Sequence, residues 1–260
     1  MTLKFLKALV FWPCVWVYTI FMVLKLVGVG IYYRFKDPMD KENRCHDIAT
    51  QWGTGILKFT PGWEFEVTGM ENIPNLDEKP VVLVANHQSS VDILALYTLG
   101  VQFRWLSKIE VFRLPFVGQA MTMSGYIPIN RGSKGSHQNA FLASKKCLQR
   151  GISMAYFPEG SRSLDGKLKE FKQGAFRLAE EEGVQILPIT ISGTNRMMAK
   201  NSFTPNPAKI SLKVLKPCQR MDDESLSNFM DRVRSNVHEE LELGKQQEAN
   251  TSPIFSTATI

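Results

Sequence analysis

The chain has 260 residues, ample for one α/β domain with a full core. Hydrophobic residues make up 44% and charged residues 22%, an ordinary globular balance. The net charge of +6 suits anionic lipid surfaces, phosphorylated substrates or nucleic acid, but no nucleic-acid motif or aromatic-interleaved basic stripe supports the last. Cys14, Cys45, Cys147 and Cys218 are scattered without C-x-x-C spacing, which argues against metal or redox roles and for a reducing compartment.

The N-terminus departs from that of a soluble protein. Ala8 to Leu24 carries no formal charge, and Leu26 to Tyr33 is apolar again after Lys25. As a helix, the uncharged run would reach about 26 Å, a little short of a bilayer core of about 30 Å. Lys4 and Lys7 before it, and Lys25, Arg34 and Lys36 after it, set no clear direction of insertion. No small-residue cleavage site stands out, so a retained anchor is expected rather than a removed signal peptide. The favoured reading is an anchor embedded in one leaflet; a full span and a buried core helix are the alternatives. Trp12, Trp16, Tyr18, Tyr32 and Tyr33 suit the headgroup region. From Asp40 to Phe59 the positions of Ile48, Trp52, Ile56 and Leu57 have near-helical spacing, which predicts the second arm of a helical hairpin on the membrane. Pro61-Gly62 closes that arm and marks a boundary. The expected organisation is an anchor and hairpin over 1–61, a catalytic domain over 62–244 and a flexible polar tail over 245–260.

Past the boundary, strand and helix patterns alternate. Strands are expected at Trp63–Thr68, Val81–Ala85, Phe103–Leu106, Tyr126–Ile129, Ile152–Phe157, Ile186–Ser192 and Ile210–Leu215. Helices are expected over 90–99, 116–124, 135–150, 171–182 and 223–242. This alternation predicts an α/β fold with a mainly parallel sheet flanked by helices.

The second strand runs into Asn86-His87-Gln88-Ser89-Ser90-Val91-Asp92. A histidine and a carboxylate thus meet at a strand-to-helix turn, where α/β proteins tend to place chemistry. Five steps along one helix turn through about 500°, so the pair can touch only with His87 on the loop and Asp92 in the first helical turn. Asp92 would then hold one ring nitrogen and leave the other free to take a proton, as in a catalytic triad without its protein nucleophile. Ser89 and Asp92 fit a capping box equally well, with His87 an ordinary loop histidine. The fifth strand leads into Pro158-Glu159-Gly160-Ser161-Arg162, where Pro158 ends the strand and Gly160 permits a sharp turn. Arg162 offers a planar fork suited to phosphate. Ile127-Pro128-Ile129-Asn130-Arg131-Gly132 repeats the layout of strand, arginine and glycine. Either arginine alone is more often a solvated surface residue; together with the histidine–carboxylate pair they suggest a site that deprotonates one group while holding an anion.

These residues resemble a known family. Asn86-His87 with Asp92 looks like the HX4D signature of the glycerolipid acyltransferases, and Ile127 to Arg131 resembles the second block of that family. Phe157 to Arg162 resembles its third block and Leu187-Pro188-Ile189 its fourth, while Phe171 to Phe176 is similar to a stretch that follows the third. HX4D alone is a weak pattern; four blocks in order over about 80–195 are specific. They look most like the 1-acyl-sn-glycerol-3-phosphate (lysophosphatidate) acyltransferases. The resemblance implies a membrane-associated enzyme with its active site on the cytoplasmic side, on the inner membrane if the source is bacterial. It implies transfer of an acyl group from acyl-CoA or acyl-carrier protein to the hydroxyl of a lipid acceptor at a membrane surface. His87 would act as base and Asp92 as its orienter. Arg131 and Arg162 would hold the acceptor phosphate, Glu159, Gly160 and Ser161 would shape the turn, and Lys108 is a further candidate for an anion. No metal or cofactor is implied, because the thioester is already activated. A related enzyme with another acceptor (glycerol-3-phosphate, lysocardiolipin or a lyso-ornithine lipid) and a non-enzymatic lipid-binding protein remain alternatives.

Other signals fail. Gly160 to Lys167 misses the phosphate-binding P-loop spacing by one residue, and Gly28-Val29-Gly30 lacks the third glycine of a dinucleotide fingerprint. No G-x-S-x-G elbow is present, so a serine acyl-enzyme is not indicated. His46, His137 and His238 have no metal-ligand spacing and read as surface or packing residues.

Overall fold

A computed structural model describes residues 3–163, 166–197 and 205–251. All seven expected strands form, and they join one sheet: β1 (Trp63–Thr68), β2 (Val82–Ala85), β3 (Phe103–Lys108), β4 (Ile127–Ile129), β5 (Ser153–Tyr156), β6 (Ile186–Ser192) and β7 (Ala208–Val214). Their order is β1-β7-β6-β2-β5-β3-β4. Neighbours run parallel except β6 and β7. The central strand β2 is buried throughout. Val82 and Val84 enter one core layer, Leu83 and Ala85 the other, as the two-residue period of a strand covered on both faces requires.

The first layer is completed by α6 (Lys134–Gln149), α7 (Gly174–Glu181) and α9 (Leu226–Thr251). The second is completed by α3 (Asp92–Tyr97) and α5 (Val117–Met123). The short helices α4 (Ile109–Phe112) and α8 (Thr194–Met197), and a 3-10 turn at Met70–Asn72, are too brief for hydrophobic periodicity to announce them. Helix α9 continues to Thr251, so residues 245–251, expected to be loose, are helical. Lys, Gln, Glu and Ala, strong helix formers, dominate that stretch. Residues 252–260 of the expected tail lie outside the described residues.

At the N-terminus α1 (Leu3–Tyr32) passes unbroken through Pro13 and Lys25. Its segment Leu9–Tyr32 is long and apolar enough to cross a membrane by length and composition, with a mean hydropathy of 2.1. Helix α2 (Pro38–Phe59) starts with Asp37 as its cap, which accepts from the Met39 amide at 2.6 Å, and with Pro38 in its first turn. It folds back along α1. Trp52 donates to Thr19 Oγ1 at 3.0 Å, Tyr18 to the Gln51 carbonyl at 2.8 Å and Lys25 to Gln51 Oε1 at 2.6 Å.

Its other face is fastened to the sheet. Arg104, fully buried on β3, donates to Asn43 Oδ1 at 2.7 Å. The ring of His46 lies 3.0 Å from the Tyr126 hydroxyl and 3.1 Å from the Val101 carbonyl. This is a packing histidine. Burial, reinforced by the nearby Arg104 charge, pushes its pKa down to about 3. Unfolded, the same ring protonates below about 6.5. The unfolded chain therefore binds the extra proton first, and stability falls as pH drops from about 6.5 towards 3. Between pH 7 and pH 4.5 this group is expected to remove about 2–3 kcal/mol. His46→Gln should flatten the pH dependence by that amount in urea unfolding at matched detergent; an unchanged slope would show that His46 does not titrate across folding.

Candidate active site

Strands β6, β2 and β5 are adjacent, and a loop leaves the carboxyl end of each. Asn86, at the end of β2, fastens the first loop to β6. Its side chain donates to the Ile191 carbonyl at 2.9 Å and accepts from the Ile191 amide at 2.8 Å. The next residue, His87, is thereby held at the lip of the sheet.

His87 Nδ1 lies 2.8 Å from Asp92 Oδ2, and Asp92 is fully buried. The same oxygen accepts from the Gln88 and Ser89 amides at 2.7 and 2.8 Å. Asp92 Oδ1 accepts from the Thr194 hydroxyl at 2.5 Å. Both readings of the motif are therefore partly realised: Asp92 reaches back to the Ser89 amide as a capping-box acid does, and it also orients His87. Ser89 Oγ accepts from Val91 rather than from Asp92, and α3 begins at Asp92, two residues later than expected. Thr194 follows β6 through Gly193, whose φ of 82° favours glycine and where a Cβ would collide with the Lys209 carbonyl.

The loop after β5 covers His87 from the other side. Phe157 stacks on its ring with centroids 4.2 Å apart. Gly160 takes a φ of 70°, as its turn demands. Glu159 is buried and lines neither of the two cavities that flank this centre; its two oxygens accept from the His87 amide at 2.6 Å and the Lys169 amide at 3.1 Å. Burial raises its pKa, against the opposing pull of those two amides. Lys169 caps the turn, donating to Ser161 Oγ at 3.1 Å and to the Arg162 carbonyl at 2.7 Å. Arg234 of α9 in turn holds the Lys169 carbonyl at 3.0 Å.

Two cavities flank this centre. One is a cleft of about 720 Å³, whose cationic lining comes from Arg131, Lys134, Lys172 and Arg177. Phe157 and Gly160 form part of its wall, and no carboxylate does. The other, of about 370 Å³, is lined largely by apolar side chains of α1, α2, α3 and α5 and begins at Ser90 and Val91. Arg162 donates to Ser90 Oγ at 2.9 Å. Arg131 and Arg162, read together as one phosphate grip, therefore do not line the same cavity. Lys108 ends β3, is exposed and lines neither. Asn86, Phe157, Lys169 and Thr194 were not singled out as site residues. Thr194 had no local signal, since its partner Asp92 is 102 residues away.

The family model described as Acyltransferase matches residues 64–192. A 1-acyl-sn-glycerol-3-phosphate acyltransferase of Borreliella burgdorferi is 30% identical over 72% of this chain and 75% of its own length. A chloroplastic 1-acyl-sn-glycerol-3-phosphate acyltransferase of Arabidopsis thaliana is 34% identical over 86% of this chain and 61% of its own length. One from Brassica napus is 38% identical over 60% of this chain and 45% of its own length. The chain thus spans less than two thirds of these two chloroplastic relatives. It belongs to the acyltransferase family that these proteins share. The crystal structure of the 1-acyl-sn-glycerophosphate acyltransferase of Thermotoga maritima has the same fold, with a TM-score of 0.70 at 24% identity over 92% of this chain and 96% of that one.

Glu159→Gln tests the scaffold apart from the chemistry. Glutamine keeps one acceptor oxygen and turns an NH2 towards the second backbone amide. The loss expected is about 1–3 kcal/mol of stability. Hydrogen exchange over residues 86–92 should quicken while α6 and α9 keep their protection; unchanged exchange there would show that Glu159 does not hold the His87 loop.

Proposed function

We propose that this protein transfers a fatty acyl group from a thioester, acyl-CoA or acyl-carrier protein, to the free hydroxyl of 1-acylglycerol-3-phosphate, giving phosphatidic acid. The observation that carries this reading is His87, with its Nδ1 2.8 Å from a fully buried carboxylate. An ionised carboxylate only accepts, so Nδ1 carries the hydrogen and Nε2 is left as the base. Nε2 takes the proton of the acceptor hydroxyl as its oxygen attacks the thioester carbonyl. Asp92 stabilises the imidazolium that forms, and the departing thiolate takes the proton back, leaving an ester and a free thiol. The names of the relatives support this acceptor.

The flanking cavities suit the two ends of such substrates. The apolar one fits a hydrocarbon chain, and the cationic cleft fits phosphate, with Arg131 beside the Gly160 turn. Arg162, bonded to Ser90 of the apolar cavity's lining, is a second hydrogen-bond donor for the phosphate. The exposed apolar side chains of α1, among them Trp16, Val17, Ile20, Phe21 and Leu24, support a membrane-associated protein. Because α2 carries polar residues and runs beside α1, a spanning α1 would draw Lys25, Gln51 and their neighbours into hydrocarbon. We therefore read α1 as lying within one leaflet. A water-soluble thioester donor puts the site on the cytoplasmic side.

His87→Ala should lower acyl transfer by about 10²–10⁴-fold, the contribution of a positioned base. Its fold should survive, since the residue sits on a loop. Near-wild-type turnover in a thiol-release assay with acyl-CoA and lysophosphatidate would end this mechanism. Arg162→Lys keeps the charge and loses the planar fork. It should cost about ten- to a hundredfold with a phosphorylated lysolipid and much less with an unphosphorylated one. An equal loss on both would assign Arg162 to the turn or the donor.

A further inference from the structure

The connection between α4 and α5 has a backbone unlike any other among the described residues. Phe116 has a φ of 64° and is the one non-glycine with positive φ in that set. Its ψ of −46° and the bond from the Val117 amide to the Pro115 carbonyl at 2.7 Å define a γ-turn of the strained hand. The turn is not loose. The Gly118 amide donates to the Leu114 carbonyl at 2.8 Å, and the Phe112 carbonyl packs so closely on Gly118 that a Cβ there would collide with it. A rigid, strained turn persists only where its surroundings hold it or its function uses it.

Here the turn presents apolar side chains to solvent. Leu114 is 51% exposed, Phe116 65% and Val117 41%. Exposed Lys108 and Arg113 stand at its base, with Glu110 between them, so the base is net cationic. The prong also lies beside α1. Ala120 and Met123 of α5 pack on the cluster of Met22, Leu26, Cys45 and Ile48 that joins α1 to α2. Phe116 and Val117 line the apolar cavity together with Met22, Val23 and Leu26 of α1. The exposed apolar face of α1 and the prong are therefore two rims of one opening.

We propose that the turn Leu114–Val117 is a second membrane-inserting element, seated in the same leaflet as α1, so that the apolar cavity opens directly into bilayer hydrocarbon between them. The occupant is lipid rather than a protein partner for two reasons. The patch continues the charge-free face of α1, and an apolar tip above a cationic base matches acyl chains below anionic headgroups. This deepens the reading of α1 as a one-leaflet anchor and rests on it.

Spin labels separate the two. The full chain is placed on vesicles of phosphatidylethanolamine and phosphatidylglycerol. One form keeps Cys14, exposed on α1, with Cys218→Ser; the other carries Leu114→Cys with Cys14→Ser and Cys218→Ser, the remaining cysteines being buried. Leu114 lines neither cavity, so its label leaves the site clear. The label at 114 is expected to be accessible to oxygen and shielded from a water-soluble nickel complex, as in hydrocarbon. A label at 114 open to nickel, with the label at 14 in hydrocarbon, overturns the prong and leaves the anchor standing. Shielding from both reagents marks a protein interface, such as a second copy of this chain, and overturns it too. A label at 114 in hydrocarbon with the one at 14 in water supports the prong and refutes the anchor. Leu114→Asp should weaken vesicle binding about ten- to a hundredfold, the transfer value of one leucine side chain; binding equal to that of the parent overturns the proposal.

Discussion

The buried carboxylate of Asp92 is the constraint on which the site depends. A charge removed from water must be met by hydrogen bonds, and here four groups meet it: the ring of His87, two amides of the loop before α3 and the hydroxyl of Thr194. Three of the four come from the same short loop, so satisfying the charge and folding the loop are one event. The fourth comes from the far side of β6 and ties that loop to the opposite half of the sheet. The His87 ring is thus oriented by the requirement that also closes the strand-to-helix turn.

Around this centre a second set of bonds fixes the position of the loop rather than its chemistry. Asn86 replaces a missing ladder partner on β6, and Glu159 accepts the His87 amide from the β5 side. Lys169 and Arg234 carry the restraint out to α9, the last helix among the described residues. The base role proposed for His87 would need such a frame, because a small displacement of a reacting group costs large factors in rate. The acidic residue of the third block therefore serves as scaffold: both its oxygens are spent on backbone amides.

The N-terminal hairpin is joined to the catalytic layers through α2. One face of α2 holds α1, and the other holds His46, Asn43 and their partners on the sheet. Because α1 and α2 also wall the apolar cavity, the segment that marks the chain as membrane-seeking is the one that builds room for a hydrocarbon chain. The cationic cleft has Phe157, the ring that stacks on His87, in its wall.

How much of this was legible in the sequence follows from the range of the forces involved. The seven strands were legible because a buried parallel strand is a short apolar run ended by glycine, proline or a polar turn, and those signals are local. The His87–Asp92 contact was legible for the same reason: five residues at a strand-to-helix turn leave few geometries. Beyond that range local signals end. Nothing near Thr194 announces that it completes the shell of Asp92, and nothing near Asn86 announces the pairing with Ile191. Arg131 and Arg162 looked alike in their local settings, yet Arg131 lines the cationic cleft while Arg162 lines neither cavity and donates to Ser90 instead. The strained turn at Phe116 likewise escapes local propensity, whereas the extension of α9 past residue 245 follows the strong helix formers there. Sequence by itself determined the seven strands, the main helices and the histidine–carboxylate pair, because these depend on neighbours along the chain. Only the tertiary structure decided what surrounds them, because a buried charge is satisfied by whichever groups the sheet brings near, however far apart they stand in the sequence.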